Sequence, residues 1–166
     1  WKLGEHDAWC KHSNVENDTN APLLISAPGF QTAGQRTDAL AEFVDVYPTL
    51  AELCHLPLPQ HLEGTSLVPV LRDPAKSVKT AAFSQYPRAV SGRQLMGYSM
   101  RTGRYRFTRW VHRNDPTKVD AVELYDHQTD PQENLNIAHD PANAELIERL
   151  TQEWQRGWRG ARLEAN

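Results

Sequence analysis

The stretch Gln94-Leu95-Met96-Gly97-Tyr98-Ser99-Met100-Arg101-Thr102-Gly103-Arg104-Tyr105-Arg106-Phe107-Thr108-Arg109-Trp110-Val111-His112 decides the fold. Its two halves are rich in aromatic and branched side chains and are parted by Thr102-Gly103, so they read as two strands joined by a hairpin in which glycine supplies a positive φ. Alternation puts Tyr105, Phe107 and Val111 on one face and Arg104, Arg106 and Thr108 on the other. The spacing predicts strands over residues 94–101 and 105–112. Outward from this pair, residues 80–86 and 122–126 read as two more strands. Asp140-Pro141 then opens a helix whose Leu146, Ile147, Leu150, Trp154 and Trp158 form one apolar stripe. The expected class is α+β, a small four-stranded antiparallel sheet backed by a C-terminal helix.

Upstream, residues 1–20 are polar with no period of either kind and read as loop. Pro22-Leu23-Leu24-Ile25-Ser26-Ala27-Pro28-Gly29 is a short apolar run bounded by prolines, which suits a buried strand. Leu40, Phe43, Val44, Tyr47, Leu50, Ala51 and Cys54 have helical spacing. Asp45 is placed to cap a helix over residues 46–53 that tolerates Pro48 in its first turn and ends before Pro57 and Pro59. Residues 63–71 read as an ordered loop with a short helical turn. A division near residue 75 is expected, with residues 1–75 and 76–166 as separate parts.

Composition narrows the function classes. The 166 residues are 39% hydrophobic and 23% charged, values that suit a folded core rather than a disordered chain. A net charge of −3 argues against a nucleic-acid partner or an anionic membrane surface. Two cysteines, Cys10 and Cys54, make no disulfide framework and no zinc-site spacing. No apolar run is long enough to span a membrane. The chain starts at Trp1 rather than Met, and a preceding part is expected.

The one dense cluster of chemically able side chains is Glu5, His6, Lys11 and His12, flanked by Trp1 and Trp9. Lys gives a point charge and His a proton donor, as an anion pocket needs, although solvated decoration of a loop has the same composition. Arg101, Arg104, Arg106 and Arg109 form a ribbon that reads either as a polyanion groove or, more simply, as a solvated sheet face. Asn17-Asp18-Thr19 is a glycosylation triplet that carries no weight by itself.

Five motifs in order alter that balance. Trp1-Lys2-Leu3-Gly4-Glu5-His6 with Trp9 and Lys11, Ala21-Pro22-Leu23-Leu24-Ile25, Asp45-Val46-Tyr47-Pro48-Thr49-Leu50, Glu63-Gly64-Thr65-Ser66-Leu67, and Glu123-Leu124-Tyr125-Asp126 with Asp130-Pro131-Gln132-Glu133-Asn134-Leu135 together resemble the C-terminal portion of type I sulfatases. Ser84-Gln85-Tyr86-Pro87-Arg88 and Met96-Gly97-Tyr98-Ser99-Met100-Arg101-Thr102 are similar to the iduronate-2-sulfatase branch.

The resemblance implies the C-terminal subdomain of an alkaline-phosphatase-like sulfatase, with residues 1–75 as the end of the catalytic domain. It implies that Lys11 binds the sulfate ester, that Trp1 lines a sugar pocket, and that His12 stands where relatives have a pocket tyrosine. His6 is given either substrate contact or a supporting role. Arg88 is given either a sugar carboxylate or an internal ion pair. Arg93 is the one basic residue left in a loop shorter than that of the human lysosomal enzyme.

Calcium and a formylglycine nucleophile are implied for the whole enzyme, both supplied from the preceding part. Neither cysteine lies in C-x-P-x-R, so this chain is expected to hold no metal and to be inactive alone. The implied partners are a sulfated sugar and the missing N-terminal catalytic part, and the implied location is exported: periplasmic, lysosomal or extracellular. A general arylsulfatase or phosphonate monoester hydrolase, or a non-catalytic glycan-binding module, are the competing expectations.

Overall fold

The computed structural model describes residues 2–163. In chain order it has a small hairpin of β1 (Lys2–Leu3) and β2 (Trp9–Cys10), then the helices α1 (Glu16–Thr19), α2 (Val46–Leu53) and α3 (Val68–Arg72). Four strands follow, β3 (Ala81–Val90), β4 (Arg93–Thr102), β5 (Tyr105–His112) and β6 (Asp115–Asp126), and α4 (Ala144–Gly160) closes the chain. Two compact units result, one of Trp1–Pro22 with Phe83–Gly157 and one of Leu23–Ala82 with Trp158–Asn166. The N-terminal segment thus groups with the sheet, not with the residues that directly follow it.

The first unit is a four-stranded antiparallel sheet in the order β3-β4-β5-β6. One face carries Met100, Phe107 and Leu124, none more than 1% exposed, and Leu150 of α4 is equally buried. Trp154 is half-buried. Its indole N–H donates to the Tyr98 carbonyl at 3.3 Å, and its ring stands edge-on to Tyr98 at 6.3 Å. The Asp140 carboxylate accepts from the Ala142 N–H at 2.9 Å and so starts the turn that leads into α4. Within α4, Gly157 leaves helical geometry at φ 64°.

The hairpin residues act differently from expectation in one respect. Gly103 does not have a positive φ. Instead the Thr102 hydroxyl accepts from the Tyr105 N–H at 2.9 Å and donates to the Tyr105 carbonyl at 3.2 Å, which closes the turn through a side chain. Positive φ is needed in the preceding hairpin, where Ser91 (48°) and Gly92 (80°) join β3 to β4. A register shift between Trp110 and Val111 also interrupts the simple alternation of β5.

In the second unit, α2 occupies Val46–Leu53 as the spacing predicts. Asp45 does not cap α2 with its side chain. That carboxylate is fully buried and turns back instead, accepting from the Glu42 N–H at 2.8 Å and the Thr65 N–H at 2.8 Å, while Lys79 donates to it at 2.5 Å. Thr49 adds a second tie, donating to the Asp45 carbonyl at 2.6 Å and accepting from the Leu67 N–H at 2.8 Å. Leu67, Val70 and Val78 form the core of this unit, with Ile25 and Ala39 packed on it. The apolar run at 22–29 joins no sheet and turns at Pro28-Gly29, where Gly29 has φ 84°, and Leu24 is 87% exposed, against the expectation of a buried strand.

Gly64 shows how tightly the Asp45 turn is packed. A Cβ there would lie 1.9 Å from the Val44 carbonyl oxygen, a backbone atom that has nowhere to go. Gly64→Ala should cost at least ~3 kcal/mol, the upper range for overpacking, in urea denaturation. Gly103→Ala, whose Cβ would meet open space, should change stability by less than about 1 kcal/mol.

Candidate functional site

The loop that carries Lys11 is held in a costly backbone conformation. His6 (φ 56°), Asp7 (52°), Cys10 (66°) and His12 (95°) all lie in the left-handed region without being glycine. Each such residue costs of order 1 kcal/mol or more and persists only when its surroundings fix it. Those surroundings are the β1–β2 pairing, with Lys2 opposite Cys10 and Leu3 opposite Trp9, and a set of buried polar anchors.

Lys2 is one anchor. It is 1% exposed, ion-pairs with Asp18, and donates to the Ser13 hydroxyl at 3.1 Å, while Ser13 donates to Asp18 at 2.5 Å. Burial pushes the Asp18 carboxyl up, but the Lys2 ammonium and the Ser13 hydroxyl outweigh it and hold the group below its ordinary range. Asn14, 4% exposed, is the second anchor. Its amide donates to the Gly97 carbonyl at 2.9 Å, and its oxygen accepts from the Ser84 hydroxyl at 3.2 Å.

Glu16 is the third anchor, through the arginines of the sheet. Arg106 is 2% exposed and donates to Glu133 at 2.5 Å, to Glu16, and to the Thr19 hydroxyl at 3.0 Å. Arg101 reaches Glu16 at 3.3 Å, and the Glu16 backbone N–H donates to Glu133 at 2.8 Å. Arg104 makes a two-point pair with Asp126 at 2.8 and 2.6 Å, and the Arg109 guanidinium lies 4.8 Å from the Trp154 ring centre. The ribbon is thus solvated only in part: Arg104 is exposed, whereas Arg106 is buried. Three of its four members are ion-paired, and the fourth stacks on an aromatic ring.

Upon this frame Lys11, His6 and His12 are exposed, and among the described residues no hydrogen bond or ion pair takes Lys11. The His12 ring meets Tyr86 at 5.7 Å. Arg88 is exposed and lies over the Trp110 ring at 4.5 Å. It is thus held by stacking rather than by an internal ion pair. Burial raises the Glu123 carboxyl above its ordinary value, opposed by Trp110 and, more weakly, by Arg88 and His6. Arg93 stands apart, ion-paired with Asp120, and Trp1 lies outside the described residues.

Sequence reasoning missed Lys2, Asn14, Glu16, Arg106 and Glu133 as supports. Lys2 and Glu133 carried a signal through their places in Trp1-Lys2-Leu3-Gly4-Glu5-His6 and Asp130-Pro131-Gln132-Glu133, and Arg106 through the ribbon, but none of these gave its partner. Asn14 meets Gly97 and Glu16 meets Glu133 across 83 and 117 residues, a separation that leaves no local pattern.

Among the described residues, one group of potential metal-ligating side chains lies close together: Glu16, His127 and Glu133. It does not fit calcium. Its carboxylates are already matched by Arg106 and Arg101, and His127 Nε2 lies 2.7 Å from Glu133, whereas a hard cation asks for six to eight oxygens.

A four-stranded antiparallel sheet backed by a C-terminal helix, here with a lysine-bearing loop pinned to one end, is the C-terminal architecture of alkaline-phosphatase-like sulfatases. The profile of the family described as "N-sulphoglucosamine sulphohydrolase, C-terminal" matches residues 4–158, and the chain belongs to that family. It is 29% identical to iduronate 2-sulfatase of Mus musculus, over 90% of this chain and 38% of that protein. It is 31% identical to arylsulfatase K of Bos taurus, over 81% of this chain and 25% of that protein. A solved protein in complex with its substrate D-glucosamine-2-N,6-O-disulfate aligns with a TM-score of 0.62 at 28% identity, over 77% of this chain and 26% of that one. The chain thus spans under two fifths of the length of these relatives.

The Glu133 network predicts a pH dependence. Burial raises this carboxyl, but His127 and then Arg106 outweigh it, so its folded pKa lies below the usual value of 4.5. A depressed folded pKa contributes stability that is present above the unfolded value and is lost as pH falls through the folded one. Unfolding titrations should show stability dropping as pH is lowered beneath 4.5. Glu133→Gln should flatten that drop and cost about 3 to 5 kcal/mol at neutral pH, since it leaves Arg106 under-matched.

Proposed function

We propose that this chain is the C-terminal portion of a sulfatase that hydrolyses sulfate esters of sulfated glycans, in the manner of iduronate 2-sulfatase, and that Lys11 is its sulfate-binding residue. The observation that carries the reading is the exposed, unpaired Lys11 on a strained loop whose neighbours are anchored by buried polar contacts, in a chain of the N-sulphoglucosamine sulphohydrolase C-terminal family. A loop of mere decoration gains nothing from such strain. A loop that must present a cation at one place does.

Lys11 would neutralise sulfate charge and take up the charge that develops on the leaving oxygen as the S–O bond breaks. Because that charge grows toward the transition state, the contact is stronger there than in the ground state. His12 against Tyr86 and Arg88 on Trp110 would form one wall of the sugar pocket, with His6 and Trp1 as further candidates for substrate contact; Arg93, ion-paired with Asp120, would have to leave that pair to join them. Calcium and formylglycine would come from the remainder of the enzyme, since among the described residues there is no donor set that fits calcium, and neither cysteine lies in C-x-P-x-R.

Glycan sulfate esters suit an exported enzyme. Among the described residues no helix is long and apolar enough to cross a membrane. The similarity to arylsulfatase K favours a second reading, a sulfatase of broader arylsulfate range. Turnover of a 2-O-sulfated uronate against a simple aryl sulfate by the whole enzyme separates the two.

Lys11→Ala in the whole enzyme should lower kcat on the order of 100-fold to 1000-fold, about 3 to 4 kcal/mol, with little change in Tm. Near wild-type kcat would overturn the assignment. This chain by itself, purified and supplied with metal, should show no aryl sulfate turnover, and measurable turnover would sink the expectation that the nucleophile lies elsewhere.

A further inference from the structure

Gly97 is a gap in a strand of bulky residues, and two parts of the sheet unit meet in it. It stands directly opposite Trp110 in the pairing of β4 with β5. A Cβ at Gly97 would lie 2.7 Å from the Trp110 ring and 2.8 Å from the Asn14 amide nitrogen. Glycine inside a strand packs nothing of its own and marks a place where other groups must come close. Here the indole ring occupies the space, while the Asn14 amide donates to the Gly97 carbonyl at 2.9 Å. Trp110 is 4% exposed, and its buried N–H makes no hydrogen bond of good geometry, although the Glu123 carboxyl is close enough to feel it. Packing on Gly97 therefore fixes the ring, and the exposed Arg88 guanidinium lies over that ring at 4.5 Å.

The lysine loop and Arg88 are also related along β3. Ser84, Tyr86 and Arg88 alternate onto one face of that strand. The Ser84 hydroxyl donates to Asn14 at 3.2 Å, and the Tyr86 ring meets His12 at 5.7 Å. Two residues forward along β3 are thus matched by two residues back along the loop. The next such step places Arg88 level with the Cys10-Lys11 end.

We propose that Trp110, seated on Gly97, is a positioning residue: it holds the Arg88 guanidinium beside the lysine loop and so makes the site selective for a sulfated sugar that also carries a carboxylate. An exposed arginine samples many rotamers, and ordering it on binding costs entropy; stacking on a ring that cannot move removes part of that cost beforehand. The planar guanidinium suits a carboxylate at two points, which a lysine does not. The role rests on the reading of this chain as part of a glycan sulfatase and deepens it, by assigning the group that holds the reader of a second anion.

The test is made on the whole enzyme, as the ratio of kcat/KM for a 2-O-sulfated uronate to kcat/KM for an aryl sulfate. Arg88→Ala and Trp110→Leu should each lower that ratio roughly 10-fold, as the loss of a charged hydrogen bond does, and chiefly through KM for the uronate. The double variant should lower it no further than either single one, because Trp110 acts through Arg88. Trp110→Phe, which keeps an aromatic face, should retain most of the ratio, and Arg88→Lys, which keeps the charge but not the planar fork, should not. Additive losses would overturn the proposal. So would an equal loss on both substrates, since a merely structural tryptophan weakens both alike. If Trp110→Leu does not fold, Arg88→Lys and Trp110→Phe decide: a wild-type ratio in the first, or a ratio in the second as low as that of Arg88→Ala, overturns the role. No turnover of either substrate by the unsubstituted enzyme would refute the sulfatase reading and this role with it, whereas turnover of both with ratios untouched by the substitutions would refute the role alone.

Discussion

The buried guanidinium of Arg106 is the constraint on which the sheet unit depends. A cation taken almost wholly out of water must be matched by acids with good geometry, and the sheet alone supplies only the Ser99 hydroxyl, at 3.3 Å. The carboxylates come from Glu16, before the sheet, and Glu133, after it. Satisfying one arginine therefore brings both ends of the chain segment onto the same sheet face. Glu16 stands five residues after Lys11, and Asn14 three, so the position of the lysine loop follows from the electrostatics of the sheet.

The same device recurs in the other unit. Lys79, 6% exposed, is held by Glu42 at 2.6 Å and Asp45 at 2.5 Å, and Asp45 also accepts from Thr65. The Asp45-to-Thr49 and Gly64-to-Leu67 segments are thereby locked to each other, with Gly64 allowing the close backbone approach. Buried ion pairs of this kind contribute little net stability compared with apolar packing, yet breaking one is costly. Together with the burial of Leu67 they select one arrangement of these segments.

Elements with a local period were legible in the sequence. The helix Val46–Leu53 and the strand Tyr105–His112 sit where spacing and alternation place them, because apolar periodicity is a property of neighbouring residues. The C-terminal helix begins at the turn after Asp140 for the same reason. The lysine loop was legible only as composition and family resemblance, since its order comes from contacts across 83 and 117 residues. The apolar run at 22–29 was read as buried because its composition is that of a buried strand. Among the described residues nothing covers Leu23 and Leu24, which are 47% and 87% exposed. The arginine ribbon misled in the opposite direction: alternation gave its face correctly at Arg106 but said nothing of the acids that cover it.

Those acids also shape how an anionic sugar would be recognised. With Arg101, Arg104 and Arg106 paired internally and a net charge of −3, no broad positive field draws a polyanion to the sheet. Recognition would fall to individual exposed cations, Lys11 foremost. Arg88, exposed and lying over the Trp110 ring at 4.5 Å, would be a second candidate, with a planar guanidinium that matches a carboxylate. A sulfate met by a point-charge lysine and a carboxylate met by a planar arginine are different geometries. A site holding both distinguishes a sulfated uronate from a simple sulfate ester by shape as well as by charge.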